Sequence, residues 1–360
     1  MTETAHPDRV PVRDDLLDVT PYGAPQLDVP VRLNTNEVAL PPPSGFVDEV
    51  AARMSGLQLQ RYPDRRAIEL RSALARLHHV TPDRVWVANG SNEIQMQLLQ
   101  AYGGPGRRVM LLQPGYSFHP AVARLTGTEV VFHDLPEDLV LTSDEAAAAI
   151  AEHDPDIVLV ASPHNPSGVR MSLDAVRALH DGSRALIVLD EAYVEFTRRP
   201  NASLELLAEL PRLVLSRTFS KAFRLAGVRL GYLLAQPWVI DDLRKVRLPY
   251  HLDAITQVAG VVALEQRAEL MDHIPSTIDE RDRIVDELLM MQGVVRVWPS
   301  SANFLLLRTE VPDLFDQLLD LGVLVRDFSS VPGVEGCIRV TVGTPDENDW
   351  FLRALHKVVG

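Results

Sequence analysis

Short apolar runs alternate with helix-like segments through the middle of the chain. Apolar runs of about six residues, separated by segments in which apolar residues recur every three or four positions, are typical of βα units and a mainly parallel sheet. The runs predict seven strands, at 85–89, 108–113, 128–133, 157–162, 185–190, 213–218 and 228–234. The preceding and intervening patterns predict helices at 47–57, 64–79, 92–102, 118–126, 143–153 and 173–180. A sheet of this kind binds ligands at the carboxyl ends of its strands.

The pattern changes after Pro237, where two helical stretches flank residues 248–250 and the second extends to about residue 292. Four shorter apolar runs follow, at 294–299, 303–308, 323–327 and 337–343, with helices near 311–321 and at the C-terminus. This mixture predicts a smaller α+β domain. We expect an N-terminal arm at 1–35, a large domain at 36–255, whose first residues could belong to the small domain, and a small domain at 256–360.

Composition narrows the possible functions. The chain has 360 residues, a formal net charge of −14 and 46% hydrophobic residues. Such an acidic globular protein lacks the basic footprint of a general nucleic-acid binder, so a bound phosphate would depend on local arginines, lysines and helix N-termini. The single cysteine, Cys337, excludes an intramolecular disulfide, and no Cys/His spacing predicts a metal site. Without a signal peptide or an apolar run of about 20 residues, we expect a cytoplasmic protein with no membrane partner.

Two charged residues lie at strand ends, where they are candidates for chemistry. Asp190 ends the fifth predicted strand, where its carboxylate could keep a pyridinium nitrogen protonated, and Tyr193 is close enough to reach the same ring. Lys221 follows the sixth strand between small hydroxyl residues, a setting for a Schiff base beside a phosphate that Arg229 could pair with. Taken singly, Asp190 could equally cap a helix, and Lys221 could be a solvated surface lysine.

Three further segments place polar side chains at the same edge. Asn165 lies in a turn rich in Pro and Gly after the fourth strand, and Ser91 and Asn92 begin the helix after the first, where free N–H groups can bind an anion. Tyr116, after the second strand, could stack on an aromatic cofactor. Turn formation, helix capping and an ordinary exposed tyrosine are the simpler explanations. Convergence of all these groups on one sheet edge favours a ligand site.

Taken together, these and other motifs are recognisable. They are RLNTNE (32–37), RYPD (61–64), NGSNE (89–93), PGY (114–116), SPHNPSG (162–168), LDEAYVEF (189–196), RTFSKAFRLAGVRLGY (217–232) and IRVTVGT (338–344). The chain resembles the fold-type I aminotransferases that depend on pyridoxal 5'-phosphate (PLP), and within them the histidinol-phosphate aminotransferase family. The resemblance covers nearly the whole chain and implies an α/β fold-type I PLP transferase, with a sheet of about seven mainly parallel strands, a smaller α+β domain and PLP as cofactor.

The resemblance also implies a role for each matching residue at the cofactor. Lys221 would carry PLP as a Schiff base and then shuttle a proton, while Asp190 would pair with the ring nitrogen. Asn165 and Tyr193 would bind the phenolic oxygen of the ring, and Tyr116 would stack on its face. The residues implied to hold the phosphate are Ser91, Asn92, Thr218, Ser220 and Arg229.

Other matching residues point to the substrate and to a second subunit. Arg339 would bind the acidic group of the substrate, Arg326 would help grip its phosphate, and Asn36 would lie in the substrate site. Tyr62 matches a residue that relatives donate from the neighbouring subunit, which implies a homodimer. The implied reaction is a ping-pong exchange in which histidinol phosphate gives its amino group to the cofactor and 2-oxoglutarate then receives it.

Three positions depart from the family pattern. Val38 stands where a tyrosine could touch the substrate phosphate, and His164 replaces a more usual asparagine in the turn. Arg224 replaces a small or apolar residue one helical turn after Lys221, and we expect it to be a solvated helix residue rather than part of the substrate entrance. These changes leave the PLP chemistry in place and bear on the substrate.

Several other functions are compatible with parts of the pattern. An aromatic aminotransferase acting on phenylalanine would use the same chemistry, with Arg339 holding a carboxylate. A lyase like the threonine-phosphate decarboxylases shares the fold and most motifs. A PLP-binding regulatory module would carry a DNA-binding domain, and the short N-terminal arm predicts none. A nicotinamide dehydrogenase is excluded because no G-x-G-x-x-G motif follows a strand.

Overall fold

The computed structural model describes residues 10, 12–17, 19, 21, 23–199 and 202–360, so much of the predicted arm lies outside the described residues. The strands are β1 (Val31–Arg32), β2 (Val85–Ala88), β3 (Arg108–Gln113), β4 (Glu129–Asp134), β5 (Ile157–Ala161), β6 (Leu186–Asp190), β7 (Leu213–Thr218), β8 (Gly231–Leu234), β9 (Val294–Val297), β10 (Phe304–Thr309), β11 (Val323–Leu324), β12 (Arg326–Asp327) and β13 (Cys337–Thr341). The α-helices are α1 (Ser44–Met54), α2 (Ile68–His78), α3 (Ser91–Tyr102), α4 (Phe118–Thr126), α5 (Ser143–His153), α6 (Leu173–Asp181), α7 (Leu206–Glu209), α8 (Pro237–Val246), α9 (Ala254–Glu265), α10 (Arg267–Leu270), α11 (Ile274–Met290), α12 (Leu314–Asp320) and α13 (Pro345–Val359).

Seven of the described strands form one large sheet in the order β2-β8-β7-β6-β5-β3-β4. Only β8 among them runs antiparallel to its neighbours, β2 and β7. The central strands β5, β6 and β7 are buried along their whole length, because helices cover both faces of a parallel sheet. The predicted mainly parallel α/β sheet is therefore confirmed.

Alternation along these strands divides the core into two layers. Val158, Ile187 and Leu215 face one layer, whereas Leu159, Val188 and Val214 face the other, as the two-residue period of a strand requires. The first layer is closed by helices that include α2, α6 and α9, and the second by α3, α4 and α8. The buried strands leave only their ends accessible, which places any ligand site at an edge of the sheet.

A second, smaller sheet is formed by β12-β13-β10-β9, all antiparallel. Its apolar face packs with α11, α12 and α13, and Thr344 and Glu347 form a capping box that starts α13. The N-terminal segment joins this region, since β1 pairs with β11 in parallel and Val31 and Leu33 are buried in the same core.

Several predicted boundaries differ from the structure. The seventh strand begins at Gly231 rather than at residue 228, so Arg229 precedes it in a left-handed turn with φ of 57°. The helical pattern that reaches residue 292 is divided into α9, α10 and α11, and the run at 323–327 is divided between β11 and β12 of different sheets. No helix within the described residues is long and apolar enough to cross a membrane.

Candidate active site

A cavity of about 390 Å³ opens at the carboxyl ends of the large-sheet strands and reaches β12 and β13 of the small sheet. Every residue predicted for the site lines it, with the exception of Tyr62. These lining residues are Asn36, Ser91, Asn92, Tyr116, Asn165, Asp190, Tyr193, Thr218, Ser220, Lys221, Arg229, Arg326 and Arg339. The strand ends of the large sheet share one edge, which brings residues such as Ser91 and Lys221 into one cavity, and the N-terminal segment and the small sheet contribute Asn36, Arg326 and Arg339.

One end of the cavity is rich in hydrogen-bond donors. Helix α3 begins there at Ser91, and its first backbone N–H groups have no partner within the helix. Gly90 adopts φ of +82°, and a Cβ at this position would lie 2.9 Å from Nη2 of Arg229, so glycine lets the guanidinium group approach the helix start. Arg229 Nη1 also donates to Ser220 Oγ at 3.4 Å, and Thr218 Oγ1 donates to the same oxygen at 3.0 Å. This set fits a phosphate group.

Lys221 lies at the cavity wall after the turn that follows β7. Its Nζ donates to the backbone oxygen of Thr35 at 2.7 Å and lies 5.9 Å from the centre of the Tyr193 ring. Burial is the main reason that the pKa of Lys221 is lowered to about 8; the positive charges of Arg339 and Arg229 act in the same direction, and the negative charge of Glu37 opposes them. A substantial neutral fraction near physiological pH makes this amine a nucleophile.

Asp190 is buried at the end of β6, where two hydrogen bonds hold its carboxylate. Its Oδ2 accepts from Gln95 Nε2 at 2.8 Å, and its Oδ1 accepts from the backbone N–H of Ala192 at 3.1 Å. His119 Nε2 lies 3.6 Å from Oδ2. Asp190 therefore accepts a local backbone hydrogen bond, as in the simpler explanation from the sequence, and it also lines the cavity.

Sequence reasoning missed Gln95 and His119, because both are inside helices rather than at strand ends. Gln95 follows Ser91 by four positions on α3, so the two residues lie on the same face of that helix. His119 is buried in the first turn of α4 and stacks edge-on against Tyr116, with ring centres 5.2 Å apart. The available signal was a polar residue near the start of a helix that follows a strand, beside apolar positions of the same helix.

The opposite side of the cavity carries two arginines from the small sheet. Arg339 Nη1 donates to Asn165 Oδ1 at 2.6 Å and Nη2 donates to the backbone oxygen of Asn34 at 2.8 Å. Its guanidinium lies 5.2 Å and 5.7 Å from the ring centres of Phe304 and Phe328. Arg326 is the cross-strand partner of Arg339, which places both side chains on one face of the sheet. Such a pair suits a carboxylate or a phosphate.

Asn36 links the N-terminal segment to both sheets. Its side-chain Nδ2 donates to the Tyr193 hydroxyl at 3.0 Å, and its backbone N–H donates to Thr341 Oγ1 at 3.0 Å. Asn303 Nδ2 donates to the Asn36 backbone oxygen at 3.1 Å. Asn36 adopts φ of 54°, a conformation that asparagine tolerates better than most residues.

Tyr62 lies outside the cavity. Its side chain is 78% exposed and stacks on Tyr250, with ring centres 4.3 Å apart and ring planes 11° from parallel. Within a single chain, Tyr62 therefore does not contribute to the site that contains Lys221.

The three departures from the family pattern have structural explanations. His164 Nε2 donates to the Pro114 backbone oxygen at 2.9 Å, and Ser167 Oγ donates to its Nδ1 at 2.8 Å, while burial lowers the pKa of His164 to about 4. The neutral ring thus ties the turn after β5 to the turn after β3. Val38 packs beside the apolar cluster around Tyr193.

Arg224 is not the solvated helix residue that the sequence suggested. Its backbone has φ of 59°, and its side chain is 7% exposed. The guanidinium pairs with Asp272 and donates to the Pro41 backbone oxygen at 3.3 Å. Because Arg224 does not line the cavity, its charge connects three segments of the chain instead of facing a ligand.

One cluster of potential metal ligands lies away from the cavity among the described residues. His133, Glu152 and His153 bring ligand atoms within 4.8 Å of one another. They belong to β4 and α5, so no local spacing in the sequence could reveal them.

Comparison with known proteins bears on the family and the fold. The sequence model of the family described as aminotransferase class I and II matches residues 29–355. The histidinol-phosphate aminotransferase of Mycobacterium avium (strain 104) is 46% identical over 98% of this chain and 89% of its own, and that of Thermobifida fusca (strain YX) is 46% identical over 98% and 96%. The crystal structure of the Sinorhizobium meliloti histidinol-phosphate aminotransferase in complex with pyridoxal-5'-phosphate superposes with a TM-score of 0.83 at 25% identity, covering 92% of this chain and 91% of that one.

Proposed function

The chain belongs to the class I and II aminotransferase family, and on this premise we propose that it is a histidinol-phosphate:2-oxoglutarate aminotransferase of histidine biosynthesis. The resemblance inferred from the motifs is thereby confirmed at the level of the family. One observation carries the proposal: a lysine with a lowered pKa lies in the same cavity as a phosphate-binding helix start and a pair of arginines. Near-full-length similarity to relatives that bear this name supports the choice of amino donor.

PLP fits the cavity from end to end. The hydrogen-bond donors around Ser91 and Arg229 could bind its phosphate. The Asp190 carboxylate could pair with its ring nitrogen, and the Lys221 amine could form a Schiff base with its aldehyde. When bound, the cofactor supplies a protonated ring that withdraws electrons from the substrate carbon next to the amine. Tyr116 lies where it can stack on one face of that ring.

Two hydrogen bonds orient donors toward the phenolic oxygen of the cofactor. Arg339 holds Asn165 by its side-chain oxygen, which turns the amide NH₂ group toward the cavity. Asn36 donates to the Tyr193 oxygen, which orients that hydroxyl as a donor in turn. We assign both donors to the phenolic oxygen, and they connect cofactor binding to the small sheet.

Lys221 has two tasks in this proposal. Its neutral amine would hold the cofactor covalently and would be released when a substrate amine takes its place. The released amine then takes the proton from the substrate carbon and returns it on the cofactor side. A pKa of about 8 suits both directions of this transfer near neutral pH.

The arginine pair explains how one cavity serves two substrates. Histidinol phosphate carries a phosphate and 2-oxoglutarate carries carboxylates, and both kinds of anion suit Arg339 and Arg326. The two substrates would use the pair in succession, because in a ping-pong exchange the first product leaves before the second substrate binds.

We further propose that the enzyme is a cytoplasmic homodimer in which the partner subunit's Tyr62 completes each site. Exposed apolar side chains lie within a few positions of Tyr62 or its stacking partner Tyr250 in the chain, among them Leu59 at 63%, Leu248 at 73% and Ile255 at 39% exposure. A second copy of the chain is the occupant that this surface suits, because contact would bury these side chains and bring a tyrosine hydroxyl to a cavity that one chain leaves without it.

A half-reaction tests the function directly. The PLP-loaded enzyme would be mixed separately with histidinol phosphate, phenylalanine and threonine phosphate, and loss of the visible absorbance band of the bound cofactor would be followed. Rapid conversion by micromolar histidinol phosphate is expected. Conversion by phenylalanine alone would make the protein an aromatic aminotransferase, and release of carbon dioxide from threonine phosphate would make it a lyase.

A further inference from the structure

Gln95 connects the two ends of the cofactor site through one helix. Gln95 lies four residues after Ser91 on α3, about 6 Å further along the helix axis, and is 1% exposed. The amide Nε2 donates to Asp190 Oδ2 at 2.8 Å. Gln95 does not line the cavity, so it can reach the cofactor only through Asp190.

The apolar surroundings of Gln95 give no reason for a polar side chain at this position. Its helical neighbours Ile94, Leu98 and Leu99 are buried apolar residues, and the Gln95 Oε1 atom has no hydrogen-bond partner among the described residues. A buried amide oxygen without a partner lowers stability, and an apolar residue here would avoid that loss. The hydrogen bond to Asp190 is the contact that accounts for the glutamine.

In the part of the chain that the structure describes, the other groups around Asp190 do not supply a side-chain hydrogen bond to its carboxylate. The Ala192 N–H holds Oδ1 at 3.1 Å, whereas His119 Nε2 lies 3.6 Å from Oδ2, beyond hydrogen-bond length. Gln95 is thus the side chain that donates to this carboxylate at hydrogen-bond length among the described residues. Being uncharged, its amide fixes the carboxylate without neutralising it, so the negative charge remains for a ring N–H.

We propose that Gln95 is a positioning residue for the cofactor's ring nitrogen: it orients the Asp190 carboxylate toward that nitrogen from the same helix whose start binds the phosphate. This inference rests on the proposed use of Asp190 by PLP. Helix α3 then sets both the phosphate position and the direction of the carboxylate, and the distance between them is fixed by the helix itself.

The test compares Gln95→Met with Gln97→Met. Methionine keeps the length and removes the donor, and Gln97 is a matched control because it is also buried on α3 but bonds to Trp86 and Glu93 instead. Dissociation constants would be measured by absorbance titration of the apo-proteins with PLP and with an analogue whose ring nitrogen is replaced by C–H. We expect Gln95→Met to bind PLP about tenfold more weakly than wild type and to bind the analogue equally well.

Equal weakening toward PLP and the analogue, or no weakening at all, would overturn the proposal, and so would the same selective loss in Gln97→Met. If the Gln95→Met variant does not fold, the wild-type protein can be used for a second test. The NMR signal of the Gln95 side-chain amide should shift more when PLP binds than when the analogue binds, and equal shifts would refute the proposal. Failure of wild type to form a covalent absorbance band with PLP would refute the cofactor assignment instead.

Discussion

Lys221 Nζ donates a hydrogen bond to the backbone oxygen of Thr35, 186 positions earlier in the chain, at 2.7 Å. Thr35 lies just after β1, which pairs with β11, so the lysine at the end of the large sheet is held by the segment that joins the small sheet. The contact keeps the amine at the cavity wall, and it ties the position of the nucleophile to the way the N-terminal segment packs.

Replacing Lys221 with alanine should abolish turnover and remove the covalent absorbance band of the cofactor. No other lysine lines the cavity among the described residues, so no second amine can take its place. Absorbance spectra and steady-state assays would measure both effects. Lys245→Ala is the matched control, since Lys245 is an exposed residue paired with Asp242. Normal activity in Lys221→Ala would refute the whole assignment.

Lys221 should titrate near pH 8 in the apo-enzyme. Burial disfavours its charged form, so the amine loses its proton more than two pH units below the ordinary lysine value of about 10.5. The chain contains only three lysines, which makes NMR titration of selectively labelled lysine practical. The signal of Lys245, whose pKa is raised by its hydrogen bond to Asp242, should remain that of a charged amine through pH 9. A Lys221 midpoint above 10 would contradict the prediction.

Much of this fold could be predicted because its signals are local. The strand at 108–113 and the helices at 118–126 and 143–153 occur with the predicted bounds, since apolar periodicity marks their limits. The site followed from them, because the ends of parallel strands must share an edge. Asp190 and Lys221 thus reach one cavity as predicted.

What the sequence could not reveal depends on contacts between distant segments. The direction of β8 is set by pairing with β2 and β7, and apolar periodicity carries no direction. The sequence at 254–290 predicts one helical stretch, yet it is interrupted at Gln266 and at residues 271–273, which divide it into α9, α10 and α11. Arg224 looked solvated because Asp272, its partner, is 48 positions away.

Arg339→Ala should raise KM for the amino donor far more than it weakens PLP binding. The guanidinium offers charged hydrogen bonds to an anionic substrate, and losing them corresponds to roughly a 10- to 100-fold effect. A smaller effect on PLP is expected, because Asn165 loses the bond that orients it. Steady-state kinetics would measure KM for the amino donor, and PLP titration would measure cofactor binding. Arg308→Ala is the control, since Arg308 lies on β10 outside the cavity and over the ring of Trp298. Loss of PLP without a change in KM would mean that Arg339 serves the cofactor.

Tyr62→Phe should weaken PLP binding if the partner subunit supplies this hydroxyl. Phenylalanine keeps the ring that stacks on Tyr250, so the surface itself should persist. Mixing Tyr62→Phe with Lys221→Ala provides the decisive measurement. In a mixed dimer, one site combines an intact Lys221 with an intact Tyr62 from the other chain, and activity should return. Absence of rescue in proven mixed dimers, or a fully active monomer, would contradict the shared site. Tyr102→Phe, whose hydroxyl donates to Asp242, is the control.

His164→Asn should make the stability of the protein less sensitive to acid. Burial lowers the pKa of His164 from 6.5 to about 4, so the unfolded chain binds more protons than the folded one between these values. Stability is therefore lost as pH falls from 6.5 toward 4, by on the order of 3 kcal/mol for this residue. An asparagine side chain does not titrate, but the variant loses the hydrogen bonds that His164 makes with Pro114 and Ser167, and this loss lowers its stability.

Urea unfolding would measure the effect. The His164→Asn variant should be less stable than wild type at pH 7.5, and this difference in stability should be smaller at pH 4.5. A difference that stays constant with pH would show that the pKa of His164 is the same in the folded and unfolded chains, which would contradict the lowered pKa.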